Sequence, residues 1–226
     1  MNNILIVSAA AHPEDPVWAY GHELAQALQA RVHHMVPPER QAAVLVHEEA
    51  RRTGAGLIVT GRETTRGIAH ILPNLGMQTL VRGTCPVLMI PPGATFKPVR
   101  QIMYATSFEE DGYRIPPSLE KLADLLKSRI TSVYINTDRM PNGLYPRTPV
   151  LEEVTRMELD PSNVFFYTLR FRHVLQGLLW LMGHYPLDII ALTPGKRMFY
   201  LRLLGQSLTH SMARRTKIPL LSIPTA

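Results

Sequence analysis

The two halves of this chain end in the same way. The segment Leu57–Pro91 aligns without a gap on Ile190–Pro224, at a constant offset of 133 residues. Each copy has the pattern of a buried strand, a loop, an amphipathic helix and a second buried strand that begins with proline. The halves also start alike, because NILIVSAA near the N-terminus resembles RQIMYATS near residue 100. A repeat of this length far exceeds the period of a solenoid and indicates two related domains in one chain.

Composition narrows the class of protein. The chain has 226 residues, of which 46% are hydrophobic and 19% are charged, as in ordinary globular proteins. The least charged stretch, Val174–Leu192, is interrupted by Gly183 and Pro186, so we expect no membrane span. A short strand pattern, Ile4–Ala11, stands where a basic-then-apolar signal would begin. The single cysteine, Cys85, excludes an internal disulfide, and we expect a cytoplasmic protein.

Continuous apolar strands alternate with helices, which favours an α/β fold with a parallel sheet covered on both faces. Between matched hydroxyl residues, the span Thr106–Thr193 is 35 residues longer than the span Ser8–Thr60. That excess is the size of one strand plus one helix, so we predict four strands in the first half and five in the second. The predicted strands are Asn3–Ser8, Arg31–Val36, Leu57–Thr60, Val87–Ile90, Ile102–Thr106, Thr131–Asn136, Asn163–Leu169, Asp188–Thr193 and Pro219–Ile223. The predicted helices are Pro16–Gln29, Pro37–Arg52, Ile71–Arg82, Ser118–Ser128, Val150–Met157, His173–Met182 and Tyr200–Arg215.

These patterns predict a first domain at residues 1–92, a linker at residues 93–99 and a second domain at residues 100–226. The C-terminal strands of the two halves match, and each would be the edge of a sheet. We therefore predict that they pair antiparallel and relate the halves by a pseudo-twofold axis. The shorter first half would leave a sheet edge or an apolar surface exposed, which favours a homodimer.

The order, spacing and duplication of these segments resemble the universal stress protein family in its tandem form. The resemblance covers nearly the whole chain. It rests on the first strands ILIVSA and IMYATS, the fourth strands LIVTG and IALTPG, and the terminal strands CPVLMI and IPLLSI. It implies two tandem doubly wound parallel-sheet domains of Rossmann-like type, the first of them truncated. It also implies that the terminal strands pair between the domains.

ATP-binding members of that family carry an aspartate after the first strand and a loop of the form Gly-x2-Gly-x9-Gly-Ser/Thr after the fourth. The glycines let the backbone approach the phosphates, which helix-start N–H groups and the hydroxyl bind. In the first half of this chain the aspartate is replaced by Ala9. The final pair of the loop becomes Pro73-Asn74, and Pro73 has no N–H to donate. Gly61 is present, but Thr64 stands near the second glycine position.

In the second half, Ser107 replaces the aspartate, and Thr193 and Lys196 occupy the two earlier glycine positions. The final pair becomes Gln206-Ser207, so only the serine of the motif is retained. We therefore predict that both nucleotide sites are degenerate. If either half binds a phosphate, we expect the second, because its loop and helix carry basic residues and no acid. The candidate is a weak phosphate or anion site formed by Thr193, Lys196, Arg197, Gln206 and Ser207.

The same basic residues have a structural alternative. They can form a solvated helix face, with Arg214, Arg215 and Lys217 suited to a helix C-terminus. The net charge of +6 invites a nucleic-acid interpretation, but no recognised nucleic-acid module is present, so we expect no nucleic-acid partner. His33 and His34 are adjacent on a predicted strand and should point to opposite faces, and we expect no metal site.

No serine elbow or carboxylate pair forms a persuasive catalytic set, and we expect Cys85 to be a packed core thiol. The leading hypothesis is a non-catalytic tandem universal-stress-protein-like protein of the stress response. It would act through dimerisation and contacts with protein partners that the sequence does not identify, without a cofactor. The alternative is a protein that binds ATP or AMP, or hydrolyses ATP weakly, through a variant loop in the second domain. An electron-transfer or nucleotidyl-transfer relative is disfavoured, because no metal, flavin or adenylate motif is visible.

Overall fold

The predicted alternation of apolar strands and helices is confirmed. A computed structural model describes residues 1–37, 42–62, 85–106, 115–137, 151–153, 164–193 and 208–224. The strands within these residues are β1 (Asn3–Val7), β2 (Arg31–Met35), β3 (Leu57–Gly61), β4 (Val87–Ile90), β5 (Gln101–Ala105), β6 (Arg129–Asn136), β7 (Leu151–Glu153), β8 (Val164–Arg170), β9 (Ile189–Leu192) and β10 (Leu220–Ser222). The helices are α1 (Pro16–Ala27), α2 (Ala42–Thr53), α3 (Pro117–Leu126), α4 (Val174–His184) and α5 (Leu208–Arg215).

The halves join through their C-terminal strands. The ten described strands form one sheet with the order β2-β1-β3-β4-β10-β9-β5-β6-β8-β7. At its centre β4 and β10 pair antiparallel, which confirms the predicted pairing of the terminal strands. The register joins Val87 to Ser222, Leu88 to Leu221 and Met89 to Leu220. Leu88 and Leu221 occupy the same position of the repeat, so the register is symmetric about this pair.

The strand order is the same when it is read outward from the central pair. On one side β4 is followed by β3, β1 and β2, and on the other β10 is followed by β9, β5 and β6. Beyond β6 the second half adds β8 and then β7, and α4 connects β8 to β9. α4 leads into β9 as α2 leads into β3, so among the described elements the second half is lengthened by two strands, β7 and β8, and not by the predicted strand and helix. Among the described strands, β2 is therefore outermost on the side of the first half.

The short strand β7 corrects the sequence analysis. We predicted a helix near Val150–Met157, whereas Leu151–Glu153 form a strand that pairs antiparallel with β8. A segment of three residues is too short for its hydrophobic periodicity to distinguish a helix from a strand. Its conformation is decided by pairing with the neighbouring strand β8. The described part of the second half consequently has six strands, not the five predicted.

Helices cover both faces of the sheet. Ile4 and Ile6 of β1 belong to a buried cluster that includes residues of α1 and α3. Leu5 and Val7 belong to a second cluster, which includes residues of α2, α4 and α5. A Cβ atom at Gly21 would lie 2.8 Å from Cδ1 of Ile6, so this glycine lets α1 approach the sheet closely. This arrangement is the doubly wound α/β fold that the sequence predicts.

The segment predicted as a linker is packed against the rest of the protein. The ring of Phe96 meets the ring of Tyr20 edge to face, with the centroids 5.4 Å apart. Oδ2 of Asp188 accepts hydrogen bonds from the backbone N–H groups of Arg100 at 2.7 Å and Gln101 at 2.9 Å. Burial and, secondarily, the charge of Asp188 raise the pKa of Tyr20. The predicted linker thus packs against the first half through Phe96, and the domain limits stay a prediction.

Some predicted helices are described only in part or not at all. The helix predicted at Ile71–Arg82 lies outside the described residues. The helix predicted at Tyr200–Arg215 is described from Leu208 onward, as α5. The helix predicted at Pro37–Arg52 is described from Ala42 onward, as α2. Apart from these helices and the one predicted at Val150–Met157, the predicted helices and strands are found with their described ends shifted by at most a few residues.

Candidate functional site

Two positions in the sheet are candidates for ligand binding. In open parallel sheets, ligands bind beyond the carboxyl ends of strands, where the strand order reverses direction. Here the order reverses at β1, between β2 and β3, and again at β5, between β6 and β9. Because β4 and β10 are antiparallel, the carboxyl ends of the two halves lie at opposite edges of the sheet. The two candidate sites are therefore separate from each other.

In the second half, the described side chains meet across the reversal point. Thr193 directly follows β9, and its Oγ1 lies 3.0 Å from the hydroxyl oxygen of Tyr104 on β5. Both residues are buried, with 8% of Thr193 and 1% of Tyr104 exposed. The hydroxyl of Thr193 thus has a protein partner at the position where a ligand would approach.

Thr193 is the only described residue of the predicted anion site. Lys196, Arg197, Gln206 and Ser207 lie outside the described residues, so the structure does not place them against Thr193 or against one another. In the sequence, Ser207 is the residue before Leu208, from which α5 is described. The prediction of an anion site in this half remains untested by the geometry.

In the first half, a carboxylate of the chain occupies the helix start beside the reversal point. Oδ1 of Asp15 accepts hydrogen bonds from the backbone N–H groups of Val17 at 2.9 Å and Trp18 at 3.1 Å. Its Oδ2 accepts from the N–H groups of Ala9 at 3.1 Å and Ala10 at 3.4 Å. Helix starts and the loops before them are where phosphates bind in related folds. Asp15 therefore uses four of the N–H groups that an external anion would need.

The role of Asp15 was not predicted from the sequence. The predicted position of a functional aspartate was directly after the first strand, at Ala9, whereas Asp15 lies six residues further along. The available signal was Asp15-Pro16 before an apolar periodic segment, since aspartate is favoured as a helix N-cap and proline at the first helical position. Asp15 is only 7% exposed, so the hydrogen bonds by which it joins the two ends of the β1–α1 loop are made inside the protein.

A serine and a histidine are in contact beside this loop. Oγ of Ser8 lies 3.0 Å from Nε2 of His34 and also 3.0 Å from the carbonyl oxygen of Ala10. The indole of Trp18 packs edge-on against the imidazole of His34, with a centroid separation of 5.2 Å. The Ser8–His34 contact has the length of a nucleophile–base pair. However, Ser8 is 6% exposed and the backbone carbonyl competes for its proton, as expected of a packing contact.

The start of the loop after β3 contacts both halves. A Cβ atom at Gly61 would lie 2.6 Å from Cγ2 of Val17, so the glycine makes room for α1. Nη1 of Arg62 donates to the carbonyl oxygens of Ala213 at 3.1 Å, Arg214 at 2.9 Å and Thr216 at 3.0 Å. These carbonyls belong to the C-terminal end of α5, where acceptors are otherwise unpaired and a positive charge is favoured. The first part of the loop thus supports packing between the halves. Thr64, Pro73 and Asn74, discussed above, lie outside the described residues.

The histidines of β2 point to opposite faces, as predicted. His34 contacts Ser8 on the face covered by α1. His33 lies on the face of α2, where its charge contributes to the lowered pKa of Glu49, although the hydrogen bond from Arg52 is the main cause. Among the described residues, no group of three histidine, cysteine or acidic side chains is arranged to hold a metal ion.

The cysteine has the properties of a packed thiol. Cys85 directly precedes Pro86 and β4, and its Sγ lies 3.7 Å from the carbonyl oxygen of Pro86. Burial raises the pKa of the Cys85 thiol to about 11. A reactive cysteine needs the opposite shift, because the thiolate is the nucleophile.

Comparison with known proteins identifies the fold. Neither the sequence profiles of known families nor any curated protein matches this chain. Solved structures do match. A universal stress protein from Archaeoglobus fulgidus has a TM-score of 0.57 at 12% identity, covering 91% of this chain and 74% of that one. A candidate universal stress protein from Pseudomonas aeruginosa has a TM-score of 0.52 at 12% identity, covering 98% and 82%. A protein of unknown function from the same species has a TM-score of 0.55 at 12% identity, covering 98% and 81%.

This chain has the universal stress protein fold. At 12% identity the likeness concerns the fold alone. Its coverage of more than nine-tenths of the chain shows that the likeness includes both halves. No helix among the described residues is long and apolar enough to cross a membrane.

Proposed function

We propose that this chain is a tandem universal-stress-protein-like protein of the stress response. It binds ATP weakly or not at all, is non-catalytic, and acts through dimerisation and contacts with protein partners. The shared fold and the internal repeat support the assignment to this class. The symmetric register of β4 and β10 supports a duplicated domain, with the limits 1–92 and 100–226. The single cysteine supports a reducing, cytoplasmic location.

The observation that carries the proposal is the position of Asp15. Its carboxylate accepts hydrogen bonds from four backbone N–H groups of the β1–α1 loop and helix start. A phosphate bound there would have to displace a carboxylate that is already bound intramolecularly. It would also be repelled by that negative charge. The first half is therefore a poor site for any nucleotide.

The second half is the better candidate for an anion, although a weak one. Lys196, Arg197 and Ser207 supply charge and a hydroxyl, but Lys196 and Gln206 stand where ATP-binding relatives have glycine. Their side chains would hinder the close backbone approach that a triphosphate needs. Thr193 is engaged with Tyr104. The resulting affinity should depend on exposed cations and fall as salt is added.

Calorimetric titration with ATP and AMP tests the proposal. We expect no saturation at micromolar nucleotide, and at most millimolar binding that weakens as salt is added. The double variant Lys196→Ala with Ser207→Ala should abolish that residual binding. Asn74→Ala, at the position equivalent to Ser207, is the matched control in the first half and should leave it unchanged. Micromolar binding that is insensitive to salt would overturn the proposal.

The alternative function is ATP or AMP binding, or weak ATP hydrolysis, by the second domain. It is favoured by Ser207, which retains the hydroxyl of the family motif. In this case micromolar binding would be lost in the Lys196→Ala, Ser207→Ala variant and retained in Asn74→Ala. The same titrations thus decide between the two functions.

A further inference from the structure

The backbone of β2 is unpaired along one side in the described part of the chain. The N–H of Arg31 donates to the carbonyl of Asn2 at 2.8 Å, and the N–H of Ser8 donates to the carbonyl of Met35 at 3.3 Å. Residues 31, 33 and 35 therefore direct their backbone groups towards β1, because these groups alternate in direction along a strand. The N–H and C=O groups of Val32 and His34 point the other way. They point to the outer edge of the described sheet.

In the second half, the strand equivalent to β2 is paired on its outer side. That strand, β6, pairs with β8 in a parallel register that runs from Ile130 with Val164 to Asn136 with Arg170. β2 has no such partner among the described strands. A row of unpaired donors and acceptors of this kind is a template for another strand.

The residue that follows β2 is an exposed apolar side chain. Val36 is 54% exposed, which makes it the most exposed large hydrophobic residue that the structure describes. It has the same parity as Val32 and His34, so its backbone groups should continue the same outward-facing row. β2 itself contains no acidic residue, and Arg31 is its only permanently charged one.

We propose that a second copy of this chain pairs its β2 antiparallel with β2, about a twofold axis at His34. This inference rests on the dimerisation in the proposed function and names the surface responsible. In this register His34 faces His34 of the second copy, and Val32 faces its Val36. About six backbone hydrogen bonds would form between residues 32, 34 and 36 of the two copies. Both exposed valines would be covered.

Symmetry favours a second copy over other occupants of this edge. The register is self-complementary: Arg31, the only permanently charged residue of β2, faces Pro37 of the second copy and not its Arg31, so like charges are not opposed. The chain already joins its own halves edge to edge in a register of the same symmetry. Pairing of β2 with the other end of the sheet, at β7, would be a head-to-tail contact that does not close and would form fibres. An unrelated extended peptide would leave the protein monomeric.

Sedimentation velocity of the full chain and of two variants tests this surface. We expect the wild-type chain to be a dimer at roughly 100 μM. Val36→Lys should raise the dissociation constant at least about tenfold, because it places a charge in the contact. Val44→Lys, at a valine of α2 that is 50% exposed, is the matched control and should remain as dimeric as the wild type.

Hydrogen exchange followed by NMR gives a second readout. The N–H groups of Val32, His34 and Val36 should exchange slowly only at dimer-forming concentrations, whereas those of His33 and Met35 should be protected throughout. A dimer that Val36→Lys does not weaken would overturn the β2 surface while leaving dimerisation intact. A monomeric wild type would overturn both. Species that grow without limit as concentration rises would show head-to-tail contact instead.

Discussion

Asp15 connects the two ends of the β1–α1 loop. One carboxylate accepts hydrogen bonds from two N–H groups at the start of α1 and from two in the loop after β1. Such donors have no partner within the helix and are costly to leave unpaired when buried. An external anion at this end of the first half would have to displace these bonds. In the function proposed above, the stability of the loop and the absence of tight nucleotide binding have this common physical cause.

The variant Asp15→Ala should lose about 2 kcal/mol of unfolding free energy, because it removes a helix cap and leaves the buried N–H of Val17 unpaired. Asp15→Ser should lose less, since serine can still cap the helix but cannot reach Ala9 and Ala10. Urea denaturation measures both changes. Glu14→Ala, at an exposed neighbouring position, should have little effect. Equal stability of Asp15→Ala and wild type would contradict this role.

Cys85 should react slowly with thiol reagents near pH 8. Burial raises its pKa to about 11, so on the order of 100-fold less thiolate is present than for a thiol with an ordinary pKa near 9. The rate of reaction with an aromatic disulfide should therefore rise about 100-fold in guanidinium. A rate that is the same in folded and unfolded protein would contradict the packed-thiol assignment.

The shifted pKa of Cys85 also predicts the sign of a stability change with pH. A folded pKa above the unfolded one stabilises the protein fully below about pH 9 and loses that contribution as pH rises towards 11. Cys85→Ala should remove this part of the alkaline loss. Comparison of the two unfolding free energies from pH 8 to pH 11 isolates it from the titration of other groups.

At the scale of elements, Arg62 connects the loop after β3 with the end of α5. Its guanidinium donates to three carbonyls of a helix whose sequence position is more than 140 residues away. This contact and the β4–β10 pair both hold the first half against the second. The two halves should consequently unfold together.

We expect Arg62→Ala to destabilise the protein by about 1–2 kcal/mol, because the carbonyls at the end of α5 lose a charged donor. Amide exchange in α5 should accelerate more than exchange in α1. Arg214→Ala removes an exposed cation from the same helix end and is the control. If exchange in α5 were unchanged by Arg62→Ala, the contact would have no part in joining the halves.

Patterns in the sequence predicted most elements because burial imposes them locally. β4 was predicted at its observed limits, and the pairing of β4 with β10 followed from the repeat and from the need to cover two edges. The prediction of a helix around Leu151–Glu153 was wrong. Three residues have no periodicity, and their pairing with the neighbouring strand β8 decides their conformation. Local pattern is informative where an element is long enough to have a buried face.

At the scale of the whole molecule, the sequence by itself determined the α/β class, the repeat and the pairing of the terminal strands. The alternation of apolar segments and the duplication of an edge strand are sufficient for these conclusions. Only the tertiary structure decided that Asp15 binds N–H groups at the start of α1 and that Arg62 binds the end of α5. These features depend on hydrogen bonds whose partners lie across a loop or in the other half. Periodicity records which side of a segment is buried, but it does not record which distant group that side will meet.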